Sequence, residues 1–231
     1  MGMIYKYRKC DEHTQLIFKT GCLHYAYPSE FNDPFDCLLS CVDKTFIFFL
    51  RDSENKTFPV LVSSKELEQD LQDSISKIQI CCFSLDGLQM QMWSHYADYH
   101  KGICLEFDYD LLFDRQMVDA RYVNYLPEQV ILDESFLGQI TEKHLSFLYT
   151  KHSSWAYEKE VRFFYRPSEK QNHPFNKSAL KSIYFGAKCS SSDITIYKKL
   201  CIENGFEHVQ FFQVVLSEDK KYGLKLQEIN V

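Results

Sequence analysis

The chain has 231 residues, 45% of them hydrophobic and 16% aromatic, with 19 Phe and 15 Tyr against 8 Gly and 6 Pro. That composition excludes a disordered or low-complexity chain and predicts one aromatic-rich globular domain over 1–231. A formal charge of -6 and a pI near 5.8 exclude general electrostatic attraction to nucleic-acid backbones.

The opening MIYKYRK reads as a strand, with Tyr5 and Tyr7 on one face and Ile4, Lys6 and Arg8 on the other. Asp11 to Thr20 then reads as a short helix closed by Gly21 in the left-handed conformation. CLHYAY is a second strand ending at Pro28, and PSEFNDPFD an ordered loop anchored by Phe31 and Phe35. TFIFFL at 45–50, the longest apolar run, is far too short to cross a bilayer. The polar run from 51 to 78 predicts one or two exposed helices.

IQICCFSL has the apolar continuity of a buried strand, MQMWSHYAD reads as helix, and HKGICLEFDYD returns to strand at Gly102. A strand near RYVNYL, a helix across 133–151, the strand EKEVRFFY, a strand at IYFGA, a helix over 191–204 capped by Gly205, and a closing strand pair complete the chain. No internal repeat or composition break divides it. The fold class is α+β: a central mixed or antiparallel β-sheet, split or continuous, with peripheral helices.

The start MGMIYKYRK lacks both the apolar core of a signal peptide and the sixth-position hydroxyl residue that myristoylation prefers. The expected location is cytoplasmic, with no membrane partner. Nine cysteines, an odd number without a CxxC pair, read as reduced thiols, and no metal is expected.

Three stretches carry residues capable of chemistry. In WAYEKEVRFF, strand alternation puts Glu158, Glu160, Arg162 and Phe164 on one face, opposite Val161, Phe163 and Tyr165. That face is either an exposed, self-neutralising surface or a site. NDPFD supplies Asn32, Asp33 and Asp36, which serve as turn locks or as ligand contacts. In MWSHYADYHKG, Trp93 and Tyr96 read as core anchors, while His95 and His100 are helix-end polar groups that could border a cleft. Ser94 and His95 point about 100° apart on a helix and cannot form a catalytic triad by themselves.

The segments IYKYR, HYAYPSEFNDPFDC, CCFSLDGLQMQMWSHYADYHKGICLEFD, VNY and KHSSWAYEKEVRFF, in that order, resemble the bacterial family known as domain of unknown function 2971. The resemblance runs from residue 4 to about residue 186. More distantly, the order of elements is similar to that of ADP-ribosyltransferases: a polar-bearing first strand, a helix ending in glycine, a strand leading into a loop, and a late strand with an ExE pair. That similarity implies NAD as substrate, an ADP-ribosyltransferase-like sheet, and transfer of ADP-ribose to a protein or nucleic-acid acceptor by a toxin or antiphage effector. It would make Glu160 and Glu158 the catalytic carboxylates, and Tyr7, Arg8, Tyr27, Ser29, Asn32, His95 and Arg162 the NAD contacts. The first strand, however, carries YKYR without a histidine, and the second motif is not Ser-Thr-Ser. Two other readings stand beside it: a metal-dependent nuclease or phosphohydrolase using Asp33, Asp36, Glu106 and Glu160, and a non-enzymatic binding module.

Overall fold

The structure is a computed structural model in which residues 2–51, 53, 55–112, 117–131, 144–165, 171–218 and 222–229 are described. The chain forms two compact units, the first from Met1–Tyr25, Ile80–Tyr122 and Ala156–Val231, the second from Ala26–Gln79 and Val123–Trp155. It opens with β1 (Met3–Arg8), α1 (Glu12–Thr20), β2 (Cys22–His24), β3 (Thr45–Arg51), β4 (Thr57–Ser63) and α2 (Ser64–Ile75). Next come β5 (Gln79–Ser84), α3 (Met90–Tyr96), β6 (Ile103–Asp108), α4 (Tyr109–Leu112), β7 (Met117–Tyr122) and β8 (Asn124–Leu126). It closes with β9 (Thr150–His152), β10 (Glu160–Tyr165), β11 (Asn172–Pro174), β12 (Leu180–Phe185), α5 (Ser191–Glu203), β13 (Gln210–Leu216) and β14 (Leu224–Glu228).

The first unit is built on an eight-stranded sheet in the order β14-β13-β12-β6-β1-β5-β10-β7. It is mixed, because β12 and β13 run parallel while β1 and β6, β6 and β12, and β7 and β10 run antiparallel. Period-two alternation sends Ile4, Ile103, Leu105, Phe107, Val161 and Phe163 into one core. Helices α1 and α5 cover that face through Ile17, Phe18, Tyr197 and Leu200. The alternate residues Tyr7, Cys104 and Tyr184 face the other way and pack with Met92 and Trp93 of α3.

Local signals fix the first helix. Asp11 caps it by accepting the Thr14 N–H at 2.8 Å, and Gly21 ends it at φ 65°.

The ladder narrows between β1 and β5. Six residue pairs join β1 to β6, from Met3↔Asp108 to Arg8↔Ile103. Among the described residues β1 meets β5 at the single pair Tyr5↔Ser84. Side chains span the rest: Lys6 Nζ donates to the Cys82 carbonyl at 3.0 Å, and the Tyr7 hydroxyl donates to the Asp86 carbonyl at 2.6 Å.

The connection from α3 to β6 is left-handed at three consecutive non-glycine residues, Asp98, Tyr99 and His100, with φ of 45°, 53° and 71°. Hydrogen bonds hold this costly backbone: Gly102 N–H to Ala97 O at 2.8 Å, Lys188 N–H to His100 O at 2.9 Å, and Ser94 Oγ with His100 Nε2 at 3.2 Å. His100 also stacks on Trp93. Burial, and then Lys188, push its pKa down and favour the neutral ring.

In the second unit, β3 and β4 form an antiparallel hairpin from Thr45↔Ser63 to Arg51↔Thr57, and β8 and β9 pair in parallel. Ser63 and Glu66 form a reciprocal capping box at the start of α2. The helical expectation for 51–78 therefore holds for Ser64–Ile75 alone. The preceding TFPVLVS is strand because its apolar and β-branched residues pair with TFIFFLR. The helix expected over 133–151 falls largely on 133–143, outside the described residues; 144–149 is a 3-10 turn and 150–152 is strand. Phe35 is not a buried anchor, being 69% exposed; Asp33 and Asp36 are the buried members of that loop.

Candidate functional site

The EKEVRFF motif does not form one regular strand. Lys159 adopts φ 45°, so Glu158 ends a 3-10 turn and β10 begins at Glu160. From there alternation holds, with Val161 and Phe163 in the core and Glu160, Arg162 and Phe164 on the opposite face.

That face is not the exposed surface that its charges suggested. Glu158, Glu160 and Arg162 retain 3%, 6% and 0% of their accessible surface. Arg162 grips Glu160 at two points, Nε to Oε1 at 2.9 Å and Nη2 to Oε2 at 3.1 Å. The Cys82 thiol on neighbouring β5 is pushed well above its ordinary pKa, chiefly by burial and next by Glu160. Glu158 accepts a 2.6 Å hydrogen bond from the Tyr96 hydroxyl of α3, and its carbonyl accepts one from Ser84 Oγ at 2.7 Å.

A third glutamate lies on the same side of the sheet. Glu106 stands in an otherwise apolar strand, ICLEF, and is half-buried. Its Oε1 accepts from the Tyr5 hydroxyl at 3.1 Å and from the Tyr184 hydroxyl at 2.7 Å. Its Oε2 accepts no hydrogen bond among the described residues. Burial, followed by Glu106, pushes Tyr5 up to about 12. Burial and the Glu106 hydrogen bond likewise raise Tyr184. Both phenols therefore remain donors at neutral pH, and the arrangement can stabilise positive charge at Oε2. From sequence Glu106 entered only the metal-dependent alternative, and not the catalytic or NAD-contacting set. A lone acid inside an apolar strand was the available signal, because burial makes an unpaired carboxylate costly.

The remaining expected contacts separate. Tyr7 shares the polar face, but its hydroxyl fastens the 86–89 loop, accepting from Gln89 N–H at 3.3 Å, and its ring meets Trp93 edge-on. His95 is exposed and bonds the Tyr157 hydroxyl through Nδ1 at 2.9 Å. Arg8 points to the other side of β1 and donates to Thr14 Oγ1 at 3.2 Å. Tyr27, Ser29 and Asn32 belong to the second unit. There the Tyr27 hydroxyl accepts from Gln79 Nε2 at 3.0 Å, and Ser29 and Asn32 are exposed.

Also in the second unit, Asp33 closes its own loop by accepting the Phe35 N–H at 3.0 Å, and Asp36 forms a buried ion pair with Lys151 at 3.4 Å. These engagements weaken the two aspartates as cation ligands. The same unit holds a pocket of about 460 Å³ lined by Phe35, Phe147, Lys151, His152 and Trp155. Lys151 lies over the Trp155 ring at 4.8 Å. No helix among the described residues is long and apolar enough to cross a membrane.

Residues 92–163 match a family of proteins of unknown function, DUF2971. The match runs from within α3 to within β10 and includes MWSHYAD and EKEVRF, which supports the family resemblance read from sequence. No curated protein and no solved structure matches the chain.

Proposed function

We propose that the protein is an NAD-consuming enzyme of the ADP-ribosyltransferase kind, acting at the polar face of the first unit beside the gap between β1 and β5. The observation that carries this reading is the Tyr5–Glu106–Tyr184 cluster, a half-buried carboxylate with one oxygen held by two phenols and the other unengaged among the described residues. Breaking the nicotinamide–ribose bond sends the bonding electron pair to nicotinamide and leaves positive charge on the ribose. A carboxylate fixed next to that carbon lowers the barrier.

Glu106 takes that role here. Glu160 is committed to Arg162 and acts as a positioning residue, keeping β10 and its guanidinium in place. Glu158, held by Tyr96, orients the acceptor that replaces nicotinamide. The order of elements described from sequence points to the same chemistry but puts the catalytic carboxylate on the late strand, where Arg162 already holds Glu160; the thinning of the ladder at Tyr5↔Ser84 supports the placement beside β1. The acceptor is a protein or nucleic acid, and the biological setting a bacterial toxin or antiphage effector.

The test is nicotinamide release from NAD by the purified chain, with and without cell extract as a source of acceptor. Glu106→Gln should lower the rate about 100-fold or more. A folded wild-type protein that leaves NAD intact under both conditions, or a Glu106→Gln variant with full turnover, rejects the proposal.

A further inference from the structure

On the opposite flank of the first unit two cysteines and an aspartate converge from distant parts of the chain. Cys10 follows β1 and precedes Asp11, the cap of α1; Cys189 precedes Ser190, the cap of α5; and Asp193 lies in the first turn of α5. One ligand atom from each, two thiol sulfurs and a carboxylate oxygen, lies within 4.8 Å of the other two. Around a tetrahedral zinc with Zn–S bonds of about 2.3 Å, two thiolates sit about 3.8 Å apart. Rotation of half-buried side chains supplies a contraction of that size.

The surroundings suit a cation. Ser190 Oγ donates to Asp193 Oδ2 at 2.5 Å and so orients the carboxylate, as outer partners of metal ligands do. The thiols contact each other, and make long contacts from Cys10 Sγ to the Lys101 carbonyl at 3.6 Å and from Cys189 Sγ to the Ser190 carbonyl at 3.8 Å, which a metal bond would replace. Asp11 and Asp193 add negative charge around Cys10. All three candidate ligands are half-buried, so an ion has a path in from solvent. Two sulfurs and one carboxylate favour zinc over magnesium or calcium, which prefer all-oxygen sites.

We infer that Cys10, Cys189 and Asp193 bind one zinc ion, with water as fourth ligand, and that the ion ties the start of α1 to the start of α5.

The test uses the full chain, freed of metal and kept under a phosphine reductant. It is titrated with Zn²⁺ against a chromophoric chelator, and with Co²⁺ as a spectroscopic substitute. One ion per chain, a thiolate-to-cobalt charge-transfer band and a higher Tm with Zn²⁺ are expected. Cys10→Ser and Cys189→Ser should each weaken binding at least about 100-fold, and Asp193→Asn about tenfold with the band retained. Cys22→Ser should change nothing.

In the wild type, Zn²⁺ should protect Cys10 and Cys189 from alkylation while Cys22 stays reactive, a readout independent of whether the variants fold. Absence of the cobalt band in the wild type, equal alkylation of Cys10 and Cys189 with and without Zn²⁺, or stoichiometric binding that survives Cys10→Ser with Cys189→Ser overturns the inference.

Discussion

Glu160 and Arg162, two residues apart on β10, close a two-point ion pair on the polar face of the sheet, with Arg162 fully removed from solvent. Removing the Glu160 charge takes two bonds from a guanidinium in a medium that solvates it poorly, and the penalty exceeds the value of the bonds themselves. Glu160→Gln should therefore cost about 3–5 kcal/mol of stability, read as a shift in the urea midpoint. Replacing both residues by leucine should recover part of that loss, because the cost of burying the two charges is then removed as well. A single variant within about 1 kcal/mol of wild type would show that the pair is not buried as described.

Tyr96 and Glu158 test a different contact on the same face. Their 2.6 Å hydrogen bond joins α3 to the turn before β10. Tyr96→Phe keeps the ring and deletes the donor, and bonds to charged groups contribute about 1.5–3 kcal/mol. A loss of that order is expected in chemical denaturation. The neighbouring His95→Ala should fall within about 0.5 kcal/mol of wild type, since His95 is exposed. Equal effects from the two substitutions would contradict the geometry.

The two phenols on Glu106 set an alkaline limit. Tyr5 is raised to about 12, and Tyr184 is raised as well, while an unfolded tyrosine titrates near 10. The folded state therefore holds protons that the unfolded state releases, so stability is complete below about pH 10 and falls as pH rises towards 12. Urea midpoints across that window should drop for the wild type. The drop should be smaller for Tyr5→Phe with Tyr184→Phe, which removes both groups from the balance.

Much of the scaffold was legible because its signals are local. Asp11 and Gly21 bracket α1, and alternation in MIYKYR assigns side chains to the correct faces. What the sequence hid depends on partners far along the chain. EKE reads as strand alternation, but the left-handed Lys159 takes Glu158 out of it. Whether the Glu160 face is buried depends on packing outside the motif. Glu106 acquires its meaning from Tyr5 and Tyr184, at separations of 101 and 78 residues. Cys10 and Cys189 have no metal-binding spacing at all, because the fold rather than the motif brings them together. β4 fell inside a run read as helix because the charged stretch around it masked a short β-branched segment.

Two glycines near the left-handed connection give the sharpest test of the backbone. A Cβ on Gly102 would lie 2.1 Å from the Arg8 carbonyl oxygen, and one on Gly186 would lie 2.1 Å from the His100 carbonyl oxygen. Both obstacles are main chain, part of β1 and of the strained turn, so neither can move without breaking sheet pairing or the Lys188-to-His100 bond. Gly102→Ala and Gly186→Ala should each destabilise by more than about 3 kcal/mol, or prevent accumulation of folded protein. Gly87 differs, because an added Cβ meets the Tyr5 ring at 2.7 Å and the Tyr184 ring at 3.0 Å, side chains that can shift. Gly87→Ala should keep the fold while displacing both donors from Glu106, so its mark should be slower nicotinamide release rather than a lower Tm. Gly2→Ala, with nothing within 4 Å, is the neutral reference for all three. A Gly102→Ala protein with wild-type Tm would mean that β1 and the connection into β6 do not approach as closely as described.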